Sequence, residues 1–405
     1  MEPYLLDWAN LLLRWAHVIT AIAWIGSSFY FVFLDNSLTR PTAPDLVAKG
    51  VDGELWAVHG GGFYHPQKYL VAPRSLPQHL HWFFWESYST WLTGFALFTV
   101  LYLFNAGTFL VDRNVHDWPA GAAVAAALGF LAAFWLAYDA VCRLFGRGPR
   151  GDAVVGALVV AVVAFASWLA CQLFAGRAAF VLVGAMMATA MSANVFFWII
   201  PGQRKVVAQL RAGEQPDPIH GQRGKQRSVH NTYFTLPVLV AMLSNHYGFL
   251  YSGPRNWAVL LVLMLGGALV RHFFVARHKA RVLGKPAPWG AAAAGVVLIA
   301  GLIVALAPTP KAMPAAQAPV TMQQVQAVIE QRCVMCHNAQ VSNKGVQLHT
   351  EALIGQHRQQ ILQQAVIART MPLNNATGIT EAERDLLRRW ARAPSPPSAA
   401  APSGS

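Results

Sequence analysis

Apolar residues along the chain gather into runs of roughly 20, separated by shorter segments rich in Arg, Lys, Gly and Pro. Eight runs stand out: Asn10 to Leu34, His81 to Asn105, Ala120 to Phe145, Ala153 to Phe174, Ala178 to Ile200, Val229 to Leu250, Trp257 to Ala276 and Trp289 to Ala307. At about 1.5 Å of rise per residue, each reaches across a hydrocarbon core of about 30 Å. The pattern predicts an all-α, polytopic membrane helical bundle of eight transmembrane helices. Pro237 should kink the sixth. Beyond Ala307 the pattern changes. Residues 308–319 read as a short extended linker, 320–393 as a small soluble domain and 394–405 as a Pro/Ala/Ser tail, leaving 1–307 as the membrane domain. In the soluble domain the last helix is legible. Thr380 should cap it with Glu383 in the return position, and Leu386, Leu387 and Trp390 form its apolar face.

Composition supports this reading. The 405 residues are 55% hydrophobic and 12% charged, about half the charge of a soluble domain. The net charge of +13 raises the question of nucleic acid, but the basic residues sit in short loops between apolar runs, so no nucleic-acid partner is expected. The fifth loop holds Arg204, Lys205, Arg211, Arg223, Lys225 and Arg227, and the seventh holds Arg277, Lys279, Arg281 and Lys285. The second, fourth and sixth loops hold only Arg113, Arg177 and Arg255. Odd loops are therefore expected in the cytoplasm and both termini outside, with the lipid bilayer as a partner. The N-terminus is acidic and does not read as a cleaved signal peptide.

The stretch "EQRCVMCHNA" carries the clearest chemistry. Cys333, Cys336 and His337 form C-x-x-C-H, the attachment spacing of a c-type haem. Two thiols at this spacing can form thioethers to the haem, and the adjacent imidazole then ligates the iron. Met371 in "RTMPL" is the expected sixth ligand, with His349 and His357 as alternatives. The domain reads as a minimal class I cytochrome c with one covalent haem, on the periplasmic side. Cys142 and Cys171 lie inside apolar runs and read as packing. Met186, Met187 and Met191 also read as packing rather than as a metal path.

Ionisable residues inside apolar runs are functional candidates. His17 and His246 could form one level near the outer face, and His79, His81, His230 and His272 a second level near the inner face. Facing imidazoles of this kind hold b-type haem in bundles, so one or two b haems are a further expectation. Arg14 or Arg271 could meet a haem propionate.

The first loop is long, and "GELWAVHGGGFYHPQKYLVAPRSLPQHLHWFFWESY" mixes glycine, aromatic, histidine and basic residues. Together, "RWAHVITAIAWIGSSFYF", "HGGGFYHPQKY", "LHWFFWESYSTWLTGFAL" and the appended C-x-x-C-H domain resemble the PuuD-type membrane-bound urate hydroxylases. The resemblance implies a membrane domain that oxidises urate to 5-hydroxyisourate in purine catabolism. It also implies a cytochrome c that passes the electrons to a respiratory-chain acceptor, a soluble cytochrome c or terminal oxidase, so that peroxide need not form. Such chemistry needs a base, for which His59, His65, His79, His81 and Glu86 are the candidates, and Tyr64, Lys68, Tyr69 and Arg74 are candidates for holding a planar anion. The competing expectation is a transmembrane electron conduit or quinol:cytochrome c oxidoreductase with no urate site.

Overall fold

A computed structural model describes residues 2–69, 72–73, 76–148, 150–307, 319–342 and 345–393. Most of these residues are helical. In chain order the elements are α1 (Glu2–Ser37), α2 (Pro44–Lys49), β1 (Val51–Glu54), β2 (Ala57–His59), β3 (Gly62–Tyr64), β4 (Gln67–Tyr69), α3 (Trp85–Phe98), α4 (Ala106–Phe109), α5 (Ala120–Phe145) and α6 (Gly151–Leu173). They continue as α7 (Gly176–Ala193), α8 (Ile200–Arg211), α9 (Pro218–Leu243), α10 (Asn256–Val282), α11 (Trp289–Ala305), α12 (Met322–Arg332), α13 (Glu351–Gln356), α14 (Arg358–Ile361) and α15 (Glu381–Arg392).

Among the described residues, five helices are long and apolar enough to cross a membrane: α1, α5, α6, the continuous run Gly176–Arg211, and α10. The other three expected spans coincide with helical segments that are shorter, broken or partly polar. The second is α3 followed by a π-turn at Thr99–Leu103. The sixth is the C-terminal part of α9, whose first half is polar and whose end passes into a 3-10 turn at Ser244–His246. The eighth, α11, has 17 residues. Helix α9 continues through Pro237.

Helix α7 is the centre of the bundle. Its residues are apolar on every side, including Ala178, Phe180, Leu182, Met186, Met187 and Ala190, and all of these are buried. It packs against α5, α6, α9 and α3. The methionines at 186, 187 and 191 are therefore core residues. Helix α1 lies at the periphery against α3 and α10 and leaves Leu11, Trp15, Ile19 and Ile22 exposed, as a lipid-facing helix does. Small residues bring the other helices together. A Cβ on Gly295 would lie 2.8 Å from the Gly266 carbonyl, so only glycine permits the close α10–α11 approach.

Loop one folds into two antiparallel ribbons, β1–β4 and β2–β3. The β2–β3 hairpin turns through Gly60 and Gly61, whose φ angles of +57° and +80° require glycine-like freedom. A backbone bridge between Thr39 and Glu54 fastens the ribbon to the end of α1.

The C-terminal helices have their own core of Val325, Ile329, Leu348, Ile354, Leu387 and Trp390. The expected cap of α15 is present: the Thr380 hydroxyl accepts from the Glu383 amide, and the Glu383 carboxylate accepts from the Thr380 amide.

Candidate functional site

The C-x-x-C-H segment begins where α12 ends. Cys333 is its C-cap, and the chain turns back through bonds from Cys336 N–H to Cys333 O (3.1 Å) and from His337 N–H to Val334 O (3.3 Å). Both thiols are free. Burial pushes the Cys333 thiol up to about 11, whereas Cys336 is exposed. The His337 ring donates from Nδ1 to the Val346 carbonyl at 3.0 Å, which leaves the Nε2 lone pair for a metal. The Met371 amide donates to Gln364 O (3.1 Å), and the Met371 carbonyl accepts from Arg384 Nη1 (3.0 Å). Arg384 is itself buried and also donates to Ala365 O, so one guanidinium pins the loop that presents Met371. Two free thiols on a turn, an imidazole in the correct tautomer and a tethered thioether fit a haem c. Of the alternative ligands, His349 is exposed and His357 is bonded to Gln360 (2.6 Å). Arg384 carried no signal in the sequence beyond being a cation on the closing helix.

The Met371 loop rests on the helical bundle. A Cβ on Gly248 would lie 2.2 Å from the Ala368 carbonyl, and α4 meets the turn Leu373–Asn375. The edge that carries the expected sixth ligand thus touches the loop between α9 and α10.

At the opposite end of α1, loop one brings some of its candidates into defined contacts. The His65 Nε2 lies 2.6 Å from the Glu54 carboxylate, and its ring stacks on Trp56 at 4.1 Å. Lys68 pairs with Asp35 at the end of α1, and burial followed by the charge of Lys225 lowers its pKa. His81 meets Phe83 edge-on (4.6 Å), which in turn meets Phe31 of α1 (4.9 Å). His59 and Tyr64 are exposed on the β2–β3 hairpin, Tyr69 pairs with Val51 across β1–β4, His79 is exposed, and Glu86 lies in the first turn of α3. Arg74 lies outside the described residues.

The membrane histidines each have their own surroundings. His17 bonds from Nδ1 to Thr90 O (3.1 Å), with its ring against Gly94 of α3, which again leaves Nε2 open. His246 is exposed in the 3-10 turn. His230 meets the Tyr138 hydroxyl at 2.8 Å, and His272 meets the Tyr233 hydroxyl at 2.7 Å.

His230 belongs to a larger buried network. Asp139 accepts from Arg227 Nη2 and from Trp198 Nε1, each at 2.7 Å. Asn194 donates to Tyr138 and to Asn231, each at 2.9 Å. Arg227 is 3% exposed, so this charge, read from the sequence as part of a loop, lies inside α9 facing the bundle. Asn194 opens a π-turn at Asn194–Ile199, an irregularity common at functional sites. An aspartate inside an apolar run was the available signal.

Residues 3–307 match the family model described as urate oxidase N-terminal, and the chain belongs to that family. No curated protein and no solved structure matches the chain.

Proposed function

We propose that this member of the urate oxidase N-terminal family is a membrane oxidoreductase. On this reading it converts urate and water to 5-hydroxyisourate, two protons and two electrons. The family match over residues 3–307 carries the urate assignment. The bundle and its loop-one ribbon form the oxidising part, and the proton acceptor comes from His59, His65, His79, His81 and Glu86. Of these, His65 is the one held by a carboxylate. Tyr64, Lys68, Tyr69 and Arg74 are the candidates for holding the planar anion.

The electrons leave through the C-terminal domain. Cys333 and Cys336 would hold a haem c covalently, and His337 and Met371 would be its axial donors. Bound there, the group supplies a one-electron acceptor whose potential the thioether raises. His337 is oriented by Val346, and Arg384 holds the Met371 loop against the membrane domain at Gly248. His17, with Nδ1 committed to a carbonyl, is suited to ligate an intermediate b-type haem, and His246, His230 and His272 are the other positions for one. The final acceptor is a respiratory cytochrome c or oxidase on the periplasmic side.

The test is anaerobic mixing of urate with purified, haem-loaded protein while the reduced c-haem absorbance is followed. One urate should reduce two haem equivalents without oxygen. Reduction by quinol but not by urate would sink the proposal and establish the electron-conduit reading.

A further inference from the structure

Arg271 is an anomaly in the bundle. It lies in α10, is 5% exposed, and among the described residues its Nε and Nη2 have no hydrogen-bond partner. These two nitrogens form the side-on edge of the guanidinium, the edge that grips two adjacent acceptor atoms at once. The flat face is already used, because the guanidinium carbon sits 3.7 Å over the ring of Phe29 on α1. The Tyr233 hydroxyl and the neighbouring His272 are bonded to each other at 2.7 Å. A buried charge with two donors unused is costly, and native structures seldom keep one without a hydrogen-bond partner.

The surroundings show how an anion would reach it. Phe29 lies eight residues before the end of α1, about 12 Å along the helix axis from loop one. One turn further out, Phe33 of α1 meets His278 of α10 at 5.1 Å. Beyond that, a groove of about 550 Å³ is lined by Arg277, His278, Arg281, Lys285 and Trp289. Among the described residues, none of Arg277, Arg281 and Lys285 has a carboxylate within ion-pair distance. Positive charge therefore runs from the loop-one end of the bundle along α10 to Arg271, a field that draws in anions.

We infer that Arg271 is the anchor of a planar heterocyclic anion, the urate monoanion, gripped through a ring carbonyl and the adjacent deprotonated nitrogen by the Nε/Nη2 edge. The cationic groove where α10 gives way to α11 gathers the anion at that end of the bundle. This inference rests on the proposed function and adds the seat of the substrate to it.

The test uses the full-length protein with its haem reduced by dithionite, so that bound urate cannot turn over. Urate binding is measured by equilibrium dialysis and by the urate-induced rise in Tm. Wild type should bind and be stabilised. Arg271→Met should lose roughly 10- to 100-fold in affinity and show no urate-induced shift. Its Tm without urate should equal or exceed that of wild type, because an uncompensated buried charge has been removed. Arg271→Lys, which keeps the charge but not the fork, should bind roughly 10-fold more weakly than wild type, and it serves as the measurement if the methionine variant does not fold. Wild-type affinity in these variants overturns the assignment while leaving the proposed function standing. If that unchanged affinity comes with a lost b-type absorption band, the guanidinium holds a haem carboxylate. If it comes with lost anionic phospholipid, the guanidinium holds a lipid phosphate. A wild type that binds no urate overturns both readings.

Discussion

Asp139 and Arg227 show what single residues do inside this bundle. Their 2.7 Å ion pair is buried, and Trp198 and Arg143 share the carboxylate. Removing one partner strands the other charge in a low-dielectric interior, so Arg227→Met should cost about 3–5 kcal/mol, measured by denaturant unfolding in detergent. Replacing both residues with apolar ones should restore much of that loss, because no lone charge remains. The same scale governs the two thiols of the C-x-x-C-H segment. In protein made without haem attachment, Cys336 is exposed and Cys333 is half-buried, with its ionisation pushed up to about 11. A maleimide at pH 8 should therefore modify Cys336 first, and equal rates at the two thiols would contradict the burial argument. The sequence already singled out these cysteines, because their chemistry depends on spacing along the chain. It did not single out Arg227, because a cation among Gly, Gln and Lys in "HGQRGKQRS" reads as a loop until α9 is seen to turn it toward Asp139.

Elements differ in the same way. The cap of α15 was legible because Thr380 and Glu383 are three residues apart and need no tertiary partner. Thr380→Ala should destabilise the C-terminal domain by about 1 kcal/mol, read from its thermal unfolding. The π-turns at Thr99–Leu103 and Asn194–Ile199 were not legible, since the second is tied to bonds from Asn194 to α5 and α9. Gly248 was not legible either. Its lack of a side chain matters only because a segment more than a hundred residues later lies against it. A β-branched residue there must push Ala368 and Thr370 away. Gly248→Val should leave the haem c spectrum unchanged and slow its reduction by urate several-fold, because the separation between the domains grows. An unchanged rate would mean that electrons do not cross at this contact.

At the scale of the whole molecule, the number of crossings decides whether the two ends of the proposed electron path face opposite sides of the membrane. Between loop one and the C-terminal domain lie four of the five long apolar helices, together with the shorter segments in α3, α9 and α11. If only the long helices cross, an even number of passes puts loop one and the C-terminus on the same side. If the three shorter segments cross as well, the number is odd and they lie on opposite sides. The basic loops favour the odd count, and the proposed haem c, which would be attached on the outer side, agrees with it. The shorter segments are consistent with this, because each packs on a long helix: α3 on α1, α9 on α7, and α11 on α10. A segment that satisfies its backbone as helix and shares its faces with neighbours need not be uniformly apolar. Single cysteines at Phe63, exposed in loop one, and at Ser405 test the count directly. In intact spheroplasts a membrane-impermeant maleimide should label the cysteine at 405 and reach the one at 63 only after permeabilisation. Labelling of both in intact spheroplasts would reduce the crossings to an even number. It would also place substrate, haem and acceptor on one face, which would remove the need for any carrier within the bundle.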